Sequence, residues 1–264
     1  MASTVRSRPQ DDGVNPRLGI SSACAKHLDS EELASLVLSL GGRTVDLRAG
    51  RGHRWEQSGL DGFRALGVEV GHVGLSVVLG NPRHDPEKVA KEAARYGGVP
   101  LRVFAAEHVA ADDQLVAEQV EALTGAAGPV GDVLVDTHQG YASLRQIEEL
   151  HDRYGVRAVV DLEGLAFLEP SVEKAAARLA AFTQTVHVKG FALRPGSLKT
   201  RHRPLGPADR VVLSRAREAF AGVPRVCLQS EAGSVAQDFA VLAEVWTQSG
   251  LTAPSGGTPS KGRG

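Results

Sequence analysis

Short apolar runs rich in β-branched residues alternate along this chain with longer segments whose apolar residues recur every three or four positions. The longer segments open at capping residues and stop at glycine, so strands and helices are expected in turn. The first strand is expected at 18–25 (LGISSACA), before a helix capped at Asp29 or Ser30 and stopped by Gly41 and Gly42. TVDLR at 44–48 is the second strand, a short helix follows at 60–66, and VEVGHVGLSV at 68–77 is the third strand. The next helix opens at Asp85, with Pro86 in its first turn, and ends at Gly97 and Gly98. LRVFAA (101–106) and DVLVDTH (132–138) read as the fourth and fifth strands, with helices at 114–123 and 143–154. RAVVDLEG (157–164), TVHVKG (185–190) and RVCLQSE (225–231) complete the set of strands. Their helices are one opened by Pro170, one at 209–220 after a long loop, and one at 235–246.

Eight strand and helix pairs fill residues 17–250 at about 29 residues per unit, which predicts one α/β domain, a closed (β/α)8 TIM barrel. An open doubly wound sheet would carry a glycine-rich phosphate turn after its first strand, and none stands there. Residues 1–16 and 251–264 are polar and rich in Gly, Pro, Ser or Thr, and are expected to be disordered tails.

Composition narrows the function classes. The 264 residues are 42% hydrophobic, and 30 Lys plus Arg stand against 31 Asp plus Glu, so the chain carries no excess charge for binding a polyanion. No run of about 18 apolar residues could cross a bilayer, and no apolar stretch follows the basic N-terminal residues, so a cytoplasmic location is expected. Cys24 and Cys227 each lie inside an apolar run and are expected to be reduced. The partner expected is a small-molecule substrate, with no nucleic acid or membrane, and with homo-oligomer formation left open.

In barrels of this kind the reacting groups gather at the C-terminal ends of the strands. Here those ends carry Asp46 and Arg48, Asp136 and His138, Asp161 and Glu163, His187 and Lys189, and Gln229 and Glu231. Residues two apart on a strand share a face, so each pair can point inward together. Burying so many ionisable groups is costly unless a metal or an anionic substrate compensates, and one His with several carboxylates suits Mn²⁺, Mg²⁺, Co²⁺ or Zn²⁺. The plainer alternative for Asp161 and His187 is a satisfied polar pair plugging the barrel mouth. Lys189 is expected in a salt bridge, and His72, Glu107 and His108 at the rim or surface. The basic run at 193–206 reads either as a solvated loop or as an anion clamp over the mouth.

Taken together, these segments resemble the xylose isomerase-like barrel superfamily, specifically its sugar phosphate isomerase/epimerase group with inosose dehydratases and ketose 3-epimerases. VDLR (45–48) is similar to that group's V-E-L-R, VDTHQG (135–140) to L-E-T-H-D, and VVDLEG (159–164) to its sixth-strand Asp segment. VHVKG (186–190) is similar to V-H-V-K-D, RPLGPAD (203–209) to L-P-G-x-G-x-x-D, and CLQSE (227–231) to L-x-x-E. The resemblance implies a divalent metal held by Asp136, Asp161, His187 and Glu231. It also implies proton transfer by Asp136 and Glu231 beside a carbonyl of a sugar, polyol or related molecule, with Arg48, His138 and Lys189 contacting substrate. The chain departs from the pattern in three places: Asp136 is one methylene shorter than Glu, Gly190 replaces Asp, and Gln229 is an alternative occupant of the strand-eight position. Those departures leave a second expectation, a repurposed barrel serving as a lyase, a cyclase or a small-molecule binding protein.

Overall fold

A computed structural model describes residues 18–127, 133–193 and 200–247, so both expected tails lie outside the described residues. Eight parallel strands close into a barrel: β1 (Leu18–Ser21), β2 (Thr44–Arg48), β3 (Glu69–Leu79), β4 (Leu101–Ala105), β5 (Val133–Asp136), β6 (Arg157–Asp161), β7 (Thr183–Val188) and β10 (Arg225–Leu228). Neighbours in the barrel follow chain order, and β10 closes onto β1 through the pairs Leu18↔Val226 and Ile20↔Leu228. This is a single (β/α)8 barrel. The intervening helices are α1 (Ser30–Ser39), α2 (Trp55–Ser58), α3 (Asp61–Ala65), α4 (Pro86–Ala93), α5 (Gln114–Ala127), α6 (Leu144–Tyr154), α7 (Leu162–Leu168), α8 (Val172–Leu179), α9 (Asp209–Ala219) and α10 (Val235–Thr247).

The helix starts are chemically explicit. Asp29 and Ser143 each accept from the third residue of their helix, while Glu32 and Gln146 return the bond to the cap's own N–H, giving two reciprocal capping boxes. Asp85 caps α4 ahead of Pro86, and α6 stops at Gly155, whose φ of 71° few other residues tolerate. Apolar faces of these helices pack on the strands in one continuous core that includes Trp55, Phe63, Leu123, Ile147, Leu179 and Phe220.

Three segments differ from the sequence expectation, each for a local reason. The first strand stops at Ser21, and residues Ser22–Ala25 turn into a 3₁₀ helix capped by the Ser21 hydroxyl. The sixth strand ends at Asp161 because that carboxylate accepts from Glu163 N at 2.9 Å and so starts α7 where strand was expected to continue. Where a long loop was expected after β7, Gly190–Leu193 (β8) and Thr200–Arg203 (β9) pair as an antiparallel hairpin. Gly190 is required by that hairpin: a Cβ there would meet Arg203 O at 2.3 Å and Pro204 O at 2.8 Å. Glycine at 190 thus reflects backbone approach, which leaves no room for the family pattern's Asp.

Candidate functional site

The strand ends and the β8–β9 hairpin enclose a cavity of ≈ 410 Å³, lined by residues that include Arg48, His138, Glu163, Lys189, His202, Gln229 and Glu231. All three residues expected to contact substrate therefore face one space. Arg48 is fixed at the end of β2 by its backbone N–H, which donates to Ser22 Oγ at 2.9 Å, while His53 Nδ1 lies 2.9 Å from the same oxygen. His138 sits among aromatic rings, with centroids 5.6 Å from Phe104 and 5.6 Å from Tyr141.

Lys189 lines the cavity and carries its best-paired charge. Its Nζ lies 2.7 Å from Asp161 Oδ2 and 2.8 Å from Glu163 Oε2, and the side chain is only 6% exposed. Burial alone would push its pKa down, but the two carboxylates more than offset that and raise it, so the ammonium persists at neutral pH. Asp161 and Glu163 are held low in turn, since Lys189 outweighs their own desolvation. Glu163 also anchors the hairpin, accepting from Thr200 Oγ1 and lying 3.2 Å from His202 Nε2.

The two expected acid–base carboxylates occupy different environments. Asp136 is buried, its Oδ2 3.5 Å from Arg102 Nη1, and burial raises its pKa even against that cation. Glu231 stands on the rim, accepting from Lys26 Nζ at 2.8 Å and Arg48 Nη1 at 3.1 Å. Partial burial would raise it, but Lys26 and Arg48 hold its pKa below the usual range. The inward place at the end of the eighth barrel strand belongs to Gln229: its N–H donates to Val188 O at 2.7 Å, and its side-chain amide lies 3.3 Å from His187 Nδ1.

The set implied by resemblance as metal ligands, Asp136, Asp161, His187 and Glu231, is thus distributed over separate partnerships. Asp136 faces Arg102, Asp161 faces Lys189, and Glu231 faces Lys26 and Arg48. As arranged it does not fit a divalent ion: Asp161 and Glu231 are closed on protein cations, Asp136 stands 3.5 Å from Arg102 with its Oδ1 unpartnered, and among the described residues the four do not form a cluster of converging donors. His187 instead points its Nε2 at Asp46 Oδ2, 2.9 Å away, and Asp46 Oδ1 lies 3.3 Å from His72 Nδ1.

Asp46, His72 and His187 are each 1% exposed, and among the described residues they form the group whose donor atoms all lie within 4.8 Å of one another. That group could hold a metal ion. His72 was expected at the rim; the irregularity between Val45 and Asp46 brings it into register with Asp46, inside the barrel. Glu107 and His108 are exposed, as read from the sequence. Sequence reasoning also passed over Arg102, although a lone Arg inside the apolar run LRVFA is the kind of signal that marks a buried ion pair.

No family model matches the chain, and no curated protein matches it in sequence. Solved structures do match its fold. A xylose isomerase domain containing protein from Salmonella typhimurium superposes with a TM-score of 0.64 at 15% identity, over 87% of this chain and 95% of the other. A 3-keto-D-glucoside 4-epimerase from E. coli gives 0.62 at 12% identity, over 88% and 99%. A probable 3-DHS dehydratase from Bacillus anthracis gives 0.58 at 15% identity, over 87% and 97%.

Proposed function

Proceeding from a xylose isomerase-like barrel, we propose that this chain is an enzyme that moves a proton at a carbon beside a carbonyl, as isomerases and epimerases do, in a small sugar, polyol or related molecule. The observation that carries this reading is the convergence of Lys189, Arg48, His138 and Glu231 on one cavity of ≈ 410 Å³ at the strand ends. The names of the structural neighbours, a sugar epimerase and a dehydratase, support it.

In this mechanism Lys189 supplies the fixed positive charge. Two of its three N–H donors are directed to Asp161 and Glu163, and the third is available to a substrate oxygen, where it stabilises the negative charge that builds up as the neighbouring C–H proton leaves. Glu231, kept ionised by Lys26 and Arg48, accepts that proton. Asp136, whose pKa burial raises, pairs with Arg102 and does not line the cavity, so Glu231 both takes up the proton and returns it. Arg48 and His138 orient substrate hydroxyls. The cation at the reacting oxygen belongs to the protein, and no step passes through the metal implied by resemblance.

The test is exchange of substrate C–H with deuterated water, followed by NMR over a panel of ketoses, keto-polyols and keto acids. At least one compound should exchange with wild-type protein, and Glu231→Gln should abolish exchange while leaving binding largely intact. Exchange at the wild-type rate in Glu231→Gln, or none with any compound, overturns the reading. One observation favours a second reading, a lyase, a cyclase or a binding protein: the carboxylates of the resemblance-implied metal set are closed on protein cations. A product lighter by one water in the same assay would identify a lyase.

A further inference from the structure

We propose that Asp46, His72 and His187 bind one divalent transition-metal ion beneath the cavity floor, at a site distinct from the four-residue set implied by resemblance. This inference does not rest on the proton-transfer reading. Its ligands come from β2, β3 and β7, and β2 and β7 are separated around the barrel wall by β1 and β10. An ion there would brace the barrel across its interior, where helices cannot reach.

The geometry is already close to a coordination shell. Donors about 2.0–2.1 Å from a tetrahedral zinc ion lie roughly 3.4 Å from one another. Asp46 Oδ1 and His72 Nδ1 are 3.3 Å apart, Asp46 Oδ2 and His187 Nε2 are 2.9 Å apart, and one donor atom from each of the three residues lies within 4.8 Å of the other two. A second observation points to a ligand between them. Asp46 Oδ1 and His72 Nδ1 are both fully buried, and neither has a hydrogen-bond partner, although they face each other. A buried carboxylate oxygen beside a buried ring nitrogen, each unsatisfied, is a costly arrangement that a shared cation relieves.

The donor chemistry selects the ion. Two imidazoles and one carboxylate favour Zn²⁺ or Co²⁺ over Mg²⁺ and Ca²⁺, which prefer all-oxygen shells. Gln229 completes the arrangement from above. Its amide nitrogen lies 3.3 Å from His187 Nδ1, so with a metal on Nε2 the amide would turn over for its oxygen to accept from Nδ1–H and fix the ligating tautomer. Gln229 also lines the cavity, which makes it the side chain joining the buried ion site to the substrate space.

The experiment needs no substrate. Full-length protein purified without chelator is analysed for metal content, then stripped and titrated with Co²⁺ and Zn²⁺ while visible absorption and thermal midpoint are followed. The expected results are one ion per chain, the ligand-field bands of low-coordinate Co²⁺, and a raised midpoint. His72→Ala and Asp46→Asn should lose stoichiometric binding, and Gln229→Leu should weaken it by roughly 10-fold or more. Asp136→Asn and Asp161→Asn should retain the ion. Histidine ring NMR signals of the wild type on Zn²⁺ addition give a readout independent of any variant's folding, with two imidazoles shifting. No stoichiometric ion and no Co²⁺ bands in wild type would overturn the proposal. So would loss of the ion in Asp136→Asn or Asp161→Asn with retention in His72→Ala.

Discussion

Replacing Arg102 by methionine tests whether this barrel keeps its buried carboxylates by neutralising them from within. Arg102 on β4 and Asp136 on β5 are 3% and 4% exposed, with Nη1 3.5 Å from Oδ2. The guanidinium also lies over the Phe104 ring, 4.7 Å from its centroid, in space left open by Gly74, where a Cβ would meet Nη2 at 2.5 Å. Methionine keeps much of the apolar stem and removes the charge. Burial raises the Asp136 pKa even with Arg102 present, so without it an uncompensated charge remains inside. Breaking a buried pair from one side costs about 3–5 kcal/mol, and for a domain of this size each kcal/mol lowers the thermal midpoint by about 2–4 °C, so a fall of roughly 6–20 °C is expected. The sign of the pH dependence follows from linkage. A carboxyl whose folded pKa is raised binds its proton more tightly when folded, so it lowers stability as pH rises from its unfolded value of about 3.9 through the folded value. The deficit of Arg102→Met should therefore be larger at pH 8 than at pH 5. The double variant Arg102→Met, Asp136→Leu should recover most of it, since removing both charges leaves nothing unpaired. Thermal melts by circular dichroism at both pH values, on wild type, both single variants and the double, decide the matter. A single variant within about 1 kcal/mol of wild type at pH 8, or a double variant that is simply additive, would refute the reasoning.

Two further outcomes follow from packing. Gly164→Ala places a Cβ 2.1 Å from Thr137 O and 2.9 Å from His138 Cα, backbone atoms that cannot swing aside, so a loss of about 1–3 kcal/mol and a midpoint lower by roughly 2–12 °C are expected in calorimetry; an unchanged midpoint would count against the close approach of α7 to the end of β5. Burial pushes the Cys24 thiol up to about 12 and Cys227 well above its ordinary value, so native protein should resist alkylation by iodoacetamide at pH 8 and react at both sites once denatured, as read by mass spectrometry; rapid modification of the native chain would contradict the packing of β10 against its neighbours.

The barrel was legible because its signals are local. TVDLR, Asp29 ahead of its helix, Pro86 after Asp85, and Gly155 after α6 each announce a boundary through backbone chemistry that depends on nearest neighbours. Where the reading slipped, a side chain acted on its own backbone in a way the pattern did not separate from strand. Asp161 is both the last residue of β6 and the cap of α7, so VVDLEG reads as one extended run although its second half is helical. The β8–β9 hairpin was hidden for a different reason, since GFAL and TRHR show no alternation of apolar and polar positions.

The partners within the site were less legible, because they are set by distances around and across the barrel that no spacing in the sequence encodes. The strand ends supplied the right inventory, and a divalent ion was the economical way to neutralise it. The structure distributes that task differently. Lys189 serves Asp161 and Glu163, Arg102 serves Asp136, and Lys26 with Arg48 serves Glu231, which is 205 positions along the chain from Lys26. Once those cations are spent, Asp46 is left with His72 and His187 at 3.3 and 2.9 Å and with Arg225 acting on it from further off, and the two imidazoles are the residues whose donors converge with it. The same electrostatic reasoning that makes an ion redundant at the mouth of this barrel therefore locates the place one layer down where an ion would still relieve unsatisfied atoms. A resemblance can carry the residue types of a site from one protein to another, but the charge on each group, and so the chemistry left available, depends on which cation lies within reach of it.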